Sequence, residues 1–302
     1  MSDPKQLVVL SGKGGTGKTC VTAALADMAS QEFALSLADA DVDAANLELV
    51  LGGQRLDSHE FTSGYLAEID GDLCIACGAC YEACRFDAIV PSVDGGPYRV
   101  DATACEGCAA CSYRCPVDAI TMTTPPCGVW YESDTSYGPF YHAHLFAGGE
   151  NSGKLVTLVK QHARLRALDE GRDLVLVDGP PGIGCPVISA VSGADMALLV
   201  VEPTISGVHD LRRVLQLTEH FEVPVLVLVN KADLSAERTE EIEAFCLDRG
   251  VRVAGHVPYD TTVVEAMVQG VPVTAFTDGA VSEVLLSSWA IIREQLGLTA
   301  HS

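Results

Sequence analysis

Eight of the chain's twelve cysteines lie between Cys74 and Cys115, in two runs of one spacing: Cys74-x-x-Cys77-x-x-Cys80-x-x-x-Cys84 and Cys105-x-x-Cys108-x-x-Cys111-x-x-x-Cys115-Pro116. Thiolates are soft ligands for iron and zinc, and the reducing cytosol keeps them from pairing as disulfides. Three cysteines this close wrap one face of a four-iron, four-sulfur cube, while the fourth is displaced too far to close the same cube. The spacing therefore predicts crossed ligand sets: Cys74, Cys77, Cys80 and Cys115 for one 4Fe-4S cluster, and Cys84, Cys105, Cys108 and Cys111 for the other. Zinc is the competing occupant, although structural zinc usually takes four ligands as paired C-x-x-C units.

The two runs share a tail, Phe86-Asp87-Ala88-Ile89 against Val117-Asp118-Ala119-Ile120, so the segment is an internal repeat of about thirty residues. Its pattern is that of the bacterial two-cluster ferredoxins, with one departure: Arg85 stands where proline usually follows the fourth cysteine. The other cysteines are scattered. Cys20 and Cys246 read as small buried residues, and Cys127 at the exit of the module is ambiguous.

A second chemistry is written near the N-terminus, where Gly12-Lys13-Gly14-Gly15-Thr16-Gly17-Lys18-Thr19 fits G-x-x-x-x-G-K-[ST] between an apolar run, Leu7 to Leu10, and a helical pattern, Val21 to Met28. Backbone N-H groups of Gly12, Gly14, Gly15, Thr16 and Gly17 would cradle phosphates, with Cys20 adjoining them at the helix start. Lys18 should reach the β and γ phosphates and the Thr19 hydroxyl should ligate Mg2+. Asp178, closing the apolar run Leu174 to Val177, suits outer-shell Mg2+ binding. In Asp39-Ala40-Asp41-Val42-Asp43, Asp41 is the candidate for positioning the attacking water and Asp39 for supporting Mg2+; the competing reading is a set of turn caps. Gly148 to Lys154 also fits G-x-x-x-x-G-K, but Leu155 follows where a hydroxyl is needed, so this stretch reads as a helix start capped by Asn151 or Ser152.

With its extra lysine, Lys13, the loop resembles the deviant-Walker P-loop ATPases, the group containing MinD, ParA, Mrp and the nitrogenase iron protein. The resemblance implies an ATP-dependent homodimer in which Lys13 acts on the partner subunit's nucleotide; a solvated loop lysine is the plainer reading. It also implies that Asn230 of Asn230-Lys231-Ala232-Asp233, which otherwise looks like a guanine-reading motif, reads adenine, with Pro258-Tyr259-Asp260 lying on the base. Cys185, seven positions beyond Asp178, matches the offset of a cluster-ligating cysteine in the nitrogenase iron protein. It is therefore a candidate for coupling the ATP site to the clusters, against the simpler reading of a buried structural cysteine. The whole chain resembles MinD-superfamily ATPases that contain an inserted ferredoxin domain.

Elements to hold these groups follow from periodicity. Continuous apolar runs at 7–10, 34–38, 174–177, 196–201, 225–229 and 251–257 alternate with helical patterns, which predicts an α/β P-loop NTPase fold, a parallel sheet with helices on both faces. The cysteine module interrupts it, giving residues 1–63 and 126–302 to the ATPase and 64–125 to the insert. A terminal helix near 280–295 carries Val281, Leu285, Trp289 and Ile292 in one stripe, read as core packing. Against 19 Lys plus Arg stand 41 Asp plus Glu, a formal charge of -22, which disfavours nucleic acid and anionic lipid as partners. No apolar run approaches a membrane span and no export signal opens the chain, so a soluble cytoplasmic protein is expected. The leading functional expectation is ATP hydrolysis coupled to electron transfer through two 4Fe-4S clusters to a redox or cluster-accepting partner, with ATP/ADP and Mg2+ as further ligands. The alternatives are a cluster carrier of the Mrp type and a spatial organiser of the MinD/ParA type.

Overall fold

The computed structural model describes residues 3–149 and 151–299; Glu150, within the second glycine-rich match, lies outside the described residues. The strands are β1 Lys5–Ser11, β2 Leu35–Asp39, β3 Gln54–Thr62, β4 Leu66–Ile69, β5 Ile89–Val90, β6 Arg99–Val100, β7 Ile120–Thr123, β8 Pro126–Thr135, β9 Gly138–Leu145, β10 Leu174–Pro181, β11 Met196–Val201, β12 Val225–Asn230 and β13 Arg252–Val257. Nine of them form one sheet in the order β13-β12-β11-β1-β10-β2-β9-β8-β3. Every pairing from β13 to β9 is parallel. Such a sheet needs both faces covered, and β11 is accordingly buried along its whole length.

Each predicted apolar run lies in a strand of this sheet to within one residue at its start, and helices follow at Lys18–Ser30, Ser152–Glu170, Ile205–His220, Ala236–Asp248, Thr262–Val268 and Ala280–Leu296. Three sheet strands gave no such signal. β3 is exposed at most of its positions, so it carries no apolar run, and β8 and β9 mix polar and aromatic residues around the Ser136-Tyr137 turn. That short connection makes β8 antiparallel to β9, so the sheet is mostly rather than wholly parallel.

The chain divides into two compact units, residues 1–59, 130–144 and 152–302 in the first, and residues 60–129 and 145–151 in the second. In the first, the terminal-helix stripe is core: Val281, Leu285, Trp289 and Ile292 are all buried. The Trp289 ring meets Phe33 edge-on with centroids 6.2 Å apart, and its indole N-H donates to Glu32 at 3.2 Å. Trp289→Ala should lower the unfolding free energy by about 3–5 kcal/mol, read as a shift in denaturant midpoint. Among the described residues no helix is long and apolar enough to cross a membrane.

The second unit is small and built twice over. β4 pairs antiparallel with β7 and β5 with β6, and short helices stand at Ala79–Ala83 and Ala110–Arg114. Its core is Ala67, Ile89 and Ile120 together with Cys80 and Cys111.

Candidate functional site

β1 runs buried to Ser11 and releases the chain into the glycine loop, which turns through left-handed Gly15 (φ 79°) and Gly17 (φ 87°) before the helix Lys18–Ser30. Beside β1, the register of β10 with β2 sets Asp178 next to Asp39, so two carboxylates end neighbouring strands, both fully buried. Asp178 is the hub: Lys18 Nζ donates to it at 3.0 Å, Thr19 Oγ1 at 2.7 Å and Thr22 Oγ1 at 2.8 Å. Lys18 also stands 3.6 Å from Asp41. Burial works against the Lys18 charge, yet Asp178, Asp39 and Asp41 outweigh it and its pKa is raised. Asp39 is pushed up to about 7, first by burial and then by Asp178.

Asp39 is occupied with the backbone. One oxygen accepts from Asp41 N at 3.0 Å, the other from Asn46 N at 3.1 Å and Leu47 N at 3.0 Å. In this arrangement it shapes the loop that presents Asp41, a role the spacing of the aspartates did not reveal. Asp41, Gly14, Thr16, Lys18, Thr19 and Cys20 line one cavity of about 470 Å3. An apolar recess of about 180 Å3, large enough for part of a planar base, is lined by Cys20, Asn230, Pro258 and Tyr259. Cys20 is thus half-buried beside both spaces rather than a core residue.

Two expected nucleotide residues are tied within the protein. Asn230 Nδ2 donates to Thr16 O at 2.7 Å, so its amide fastens the glycine loop, and a Cβ on Gly17 would come within 2.3 Å of it. Lys13 is not free in solvent: Nζ pairs with Glu202 at 3.2 Å and donates to Ser206 Oγ at 3.2 Å. Glu202, buried, also takes Lys231 at 2.5 Å. Nothing in the motif pointed to Glu202, because it lies at the far end of β11. Cys185 opens the helix Cys185–Val191 just after the Gly182 turn and is exposed, which overturns its reading as a buried cysteine; Cys246 is buried as expected. Cys127 is buried and its thiol approaches Phe61 O at 3.5 Å.

In the second unit the eight cysteines gather in two groups. Cys74, Cys77, Cys80 and Cys115 line one cavity, with Ile69, Tyr98 and Ile120; Cys84, Cys105, Cys108 and Cys111 line another, with Ala67, Ile89 and Met122. On the same measure as the nucleotide cavities, each of these free spaces is small, about 20 Å3. Each fourth cysteine has therefore crossed to the opposite group. Both runs use left-handed backbone at equivalent places, Ala76 with Gly107 and Gly78 with Ala109, and alanine adopts it only at a cost of about 1–2 kcal/mol. Backbone held in that region clusters where amides must turn toward a ligand. The missing proline after Cys84 changes little: Cys84 (φ -76°, ψ 123°) matches Cys115 (φ -72°, ψ 117°). Among the described residues no three His, Cys, Asp or Glu side chains are grouped to hold a single metal ion. Soft thiols walled by apolar side chains are the donor chemistry that an iron-sulfur cluster takes.

Residues 7–273 match the family model of the CobQ/CobB/MinD/ParA nucleotide binding domain. An uncharacterized protein of Methanocaldococcus jannaschii is 37% identical over 230 residues, 76% of this chain and 79% of that protein. The septum site-determining protein MinD of Bacillus subtilis is 24% identical over 88% of this chain and 81% of its own. Among solved structures, MinD from Pyrococcus horikoshii complexed with Mg-ADP aligns with a TM-score of 0.61 at 20% identity, covering 99% of this chain and 100% of that one. This last likeness is one of fold: an α/β P-loop architecture built on a mostly parallel sheet.

Proposed function

Since the chain belongs to the CobQ/CobB/MinD/ParA nucleotide-binding family, we propose that it is a nucleotide-driven switch that binds MgATP between the glycine loop and the Asp39–Asp43 segment. The chain is an ATPase. The observation that supports this site is the convergence of Lys18 and Thr19 on Asp178, which gathers a cation suited to phosphates and an oxygen pair suited to Mg2+. Lys18 and the loop amides would hold the phosphates, Thr19 and Asp178 would hold Mg2+, and Asp41 would align water. Phosphate release measured with and without Mg2+ tests this; turnover independent of Mg2+ overturns it.

The family comparisons favour a MinD/ParA-like ATPase over electron transfer as the activity, and none of the proteins compared above is described as carrying a cluster. One specific observation nevertheless supports a redox role for the switch: eight thiols sorted four and four into two apolar cavities. We infer that residues 60–129 hold two 4Fe-4S clusters and that ATP-dependent closure of a homodimer alters their access to a partner protein. Bound clusters would supply one-electron chemistry; the protein's part is eight thiolates and dry walls. A carrier of the Mrp type would instead surrender a cluster, so retention of iron during turnover with a thiol-rich acceptor separates the two. Cys185→Ser, at an exposed position, reads coupling: the nucleotide-dependent change in cluster signal should shrink while iron content stays unchanged.

For Lys13 to serve a partner subunit it must first leave Glu202 and Ser206. Mixing Lys13→Ala subunits with Lys18→Ala subunits should then leave at most about one competent composite site per mixed dimer, giving partial turnover. Turnover by a strictly monomeric species would refute the role in trans.

A further inference from the structure

At the end of β1 opposite the glycine loop, a cavity of about 460 Å3 opens among Gln6, Lys160, Gln161, Arg164, Ile188 and Phe221. Gln6 is 1% exposed, and its Nε2 has no hydrogen-bond partner. Buried amide donors are almost always satisfied, so an orphan beside a cavity calls for a group that the cavity holds. Lys160 is 7% exposed and its ammonium donates to Ser189 O at 2.7 Å, Ala190 O at 3.0 Å and Ser192 O at 2.5 Å. Those carbonyls end the helix Cys185–Val191 and offer only partial negative charge.

Among the described residues no carboxylate forms an ion pair with Lys160, and Arg164 adds a second positive charge whose one acidic contact is exposed Asp3 at 3.9 Å. Burial and Arg164 together lower the Lys160 pKa to about 8. Two cations, only one of them with a carboxylate partner, and a buried donor without a partner thus line one cavity in a chain of charge -22. A buried ammonium met only by carbonyl dipoles, with a half-exposed guanidinium beside it, favours an anion nearby.

We propose that this cavity binds a small organic anion, its carboxylate or phosphate between Arg164 and the Gln6 amide beside Lys160, its apolar body against Ile188 and Phe221. The site is separate from the nucleotide loop yet linked to it, because Lys160 holds the C-terminal end of the helix that Cys185 opens after the Gly182 turn.

Phenyl phosphate and benzoate are the probes, titrated calorimetrically into chain saturated with MgADP so that the glycine loop is filled. One equivalent of at least one probe should bind saturably, the better probe identifying the anionic group. Arg164→Gln and Gln6→Leu should each weaken it at least about tenfold while MgADP affinity is unchanged, the latter showing that both variants fold. No saturable binding of either probe, or binding that neither substitution weakens, overturns the proposal.

Discussion

Lys18→Ala should lose MgATP binding by at least about a hundredfold, the loss of more than one charge-assisted contact to phosphate. The substitution acts on the empty protein too, because it removes the cation that Asp178 and Asp39 share. Breaking a buried pair costs about 3–5 kcal/mol, moderated here because Thr19 and Thr22 still donate to Asp178. Asp39 sets the pH dependence. Its folded pKa of about 7 lies above the unfolded value near 4, so its contribution to stability is full below pH of about 4 and is lost as pH rises through about 7. Without Lys18 that folded pKa climbs, and the variant's melting temperature should fall more steeply than wild type's above neutrality. Asp41→Ala separates binding from chemistry: half-buried at the loop, it can go without unpairing Asp178, so MgATP binding should persist while phosphate release slows by about 10^2- to 10^4-fold and an ATP-bound dimer accumulates. Nucleotide binding by Lys18→Ala equal to wild type, measured calorimetrically, would move the phosphate site elsewhere.

Much of this machinery was legible because strict local rules produce it. A glycine loop between a buried strand and a helix needs particular residues at fixed offsets, and runs buried on both sheet faces are apolar throughout. What stayed hidden depends on distant partners. Glu202 is an ordinary carboxylate in the sequence, and only the neighbouring placement of β1 and β11 brings it to Lys13. Asn230 reads as a base-recognition residue, yet β12 delivers its amide to Thr16 O. Exposed β3 escaped notice for the opposite reason: an edge strand carries no hydrophobic signature. The exposure of Cys185, which separates its coupling reading from that of a buried cysteine, is set by the turn after Gly182, and composition says nothing of which side of a turn a thiol takes.

The crossing of the fourth cysteines yields the other large effect. Protein purified without oxygen should carry about eight iron and eight acid-labile sulfide per chain, whereas stoichiometric zinc with little iron would sink the cluster reading. Cys84 follows the first run in the chain but lines the cavity of Cys105, Cys108 and Cys111, so Cys84→Ala should halve the iron by emptying the second site. Pairs of substitutions then separate topology from mere damage. Cys84→Ala with Cys108→Ala strikes one cavity twice and should keep about four iron; Cys84→Ala with Cys77→Ala strikes both and should keep almost none. An uncrossed arrangement predicts the reverse order. The unit's small core includes Cys80 and Cys111 themselves, so cluster loss should also loosen it, and the variant emptied at both sites should be cut by protease within residues 60–129 far faster than either single-site variant.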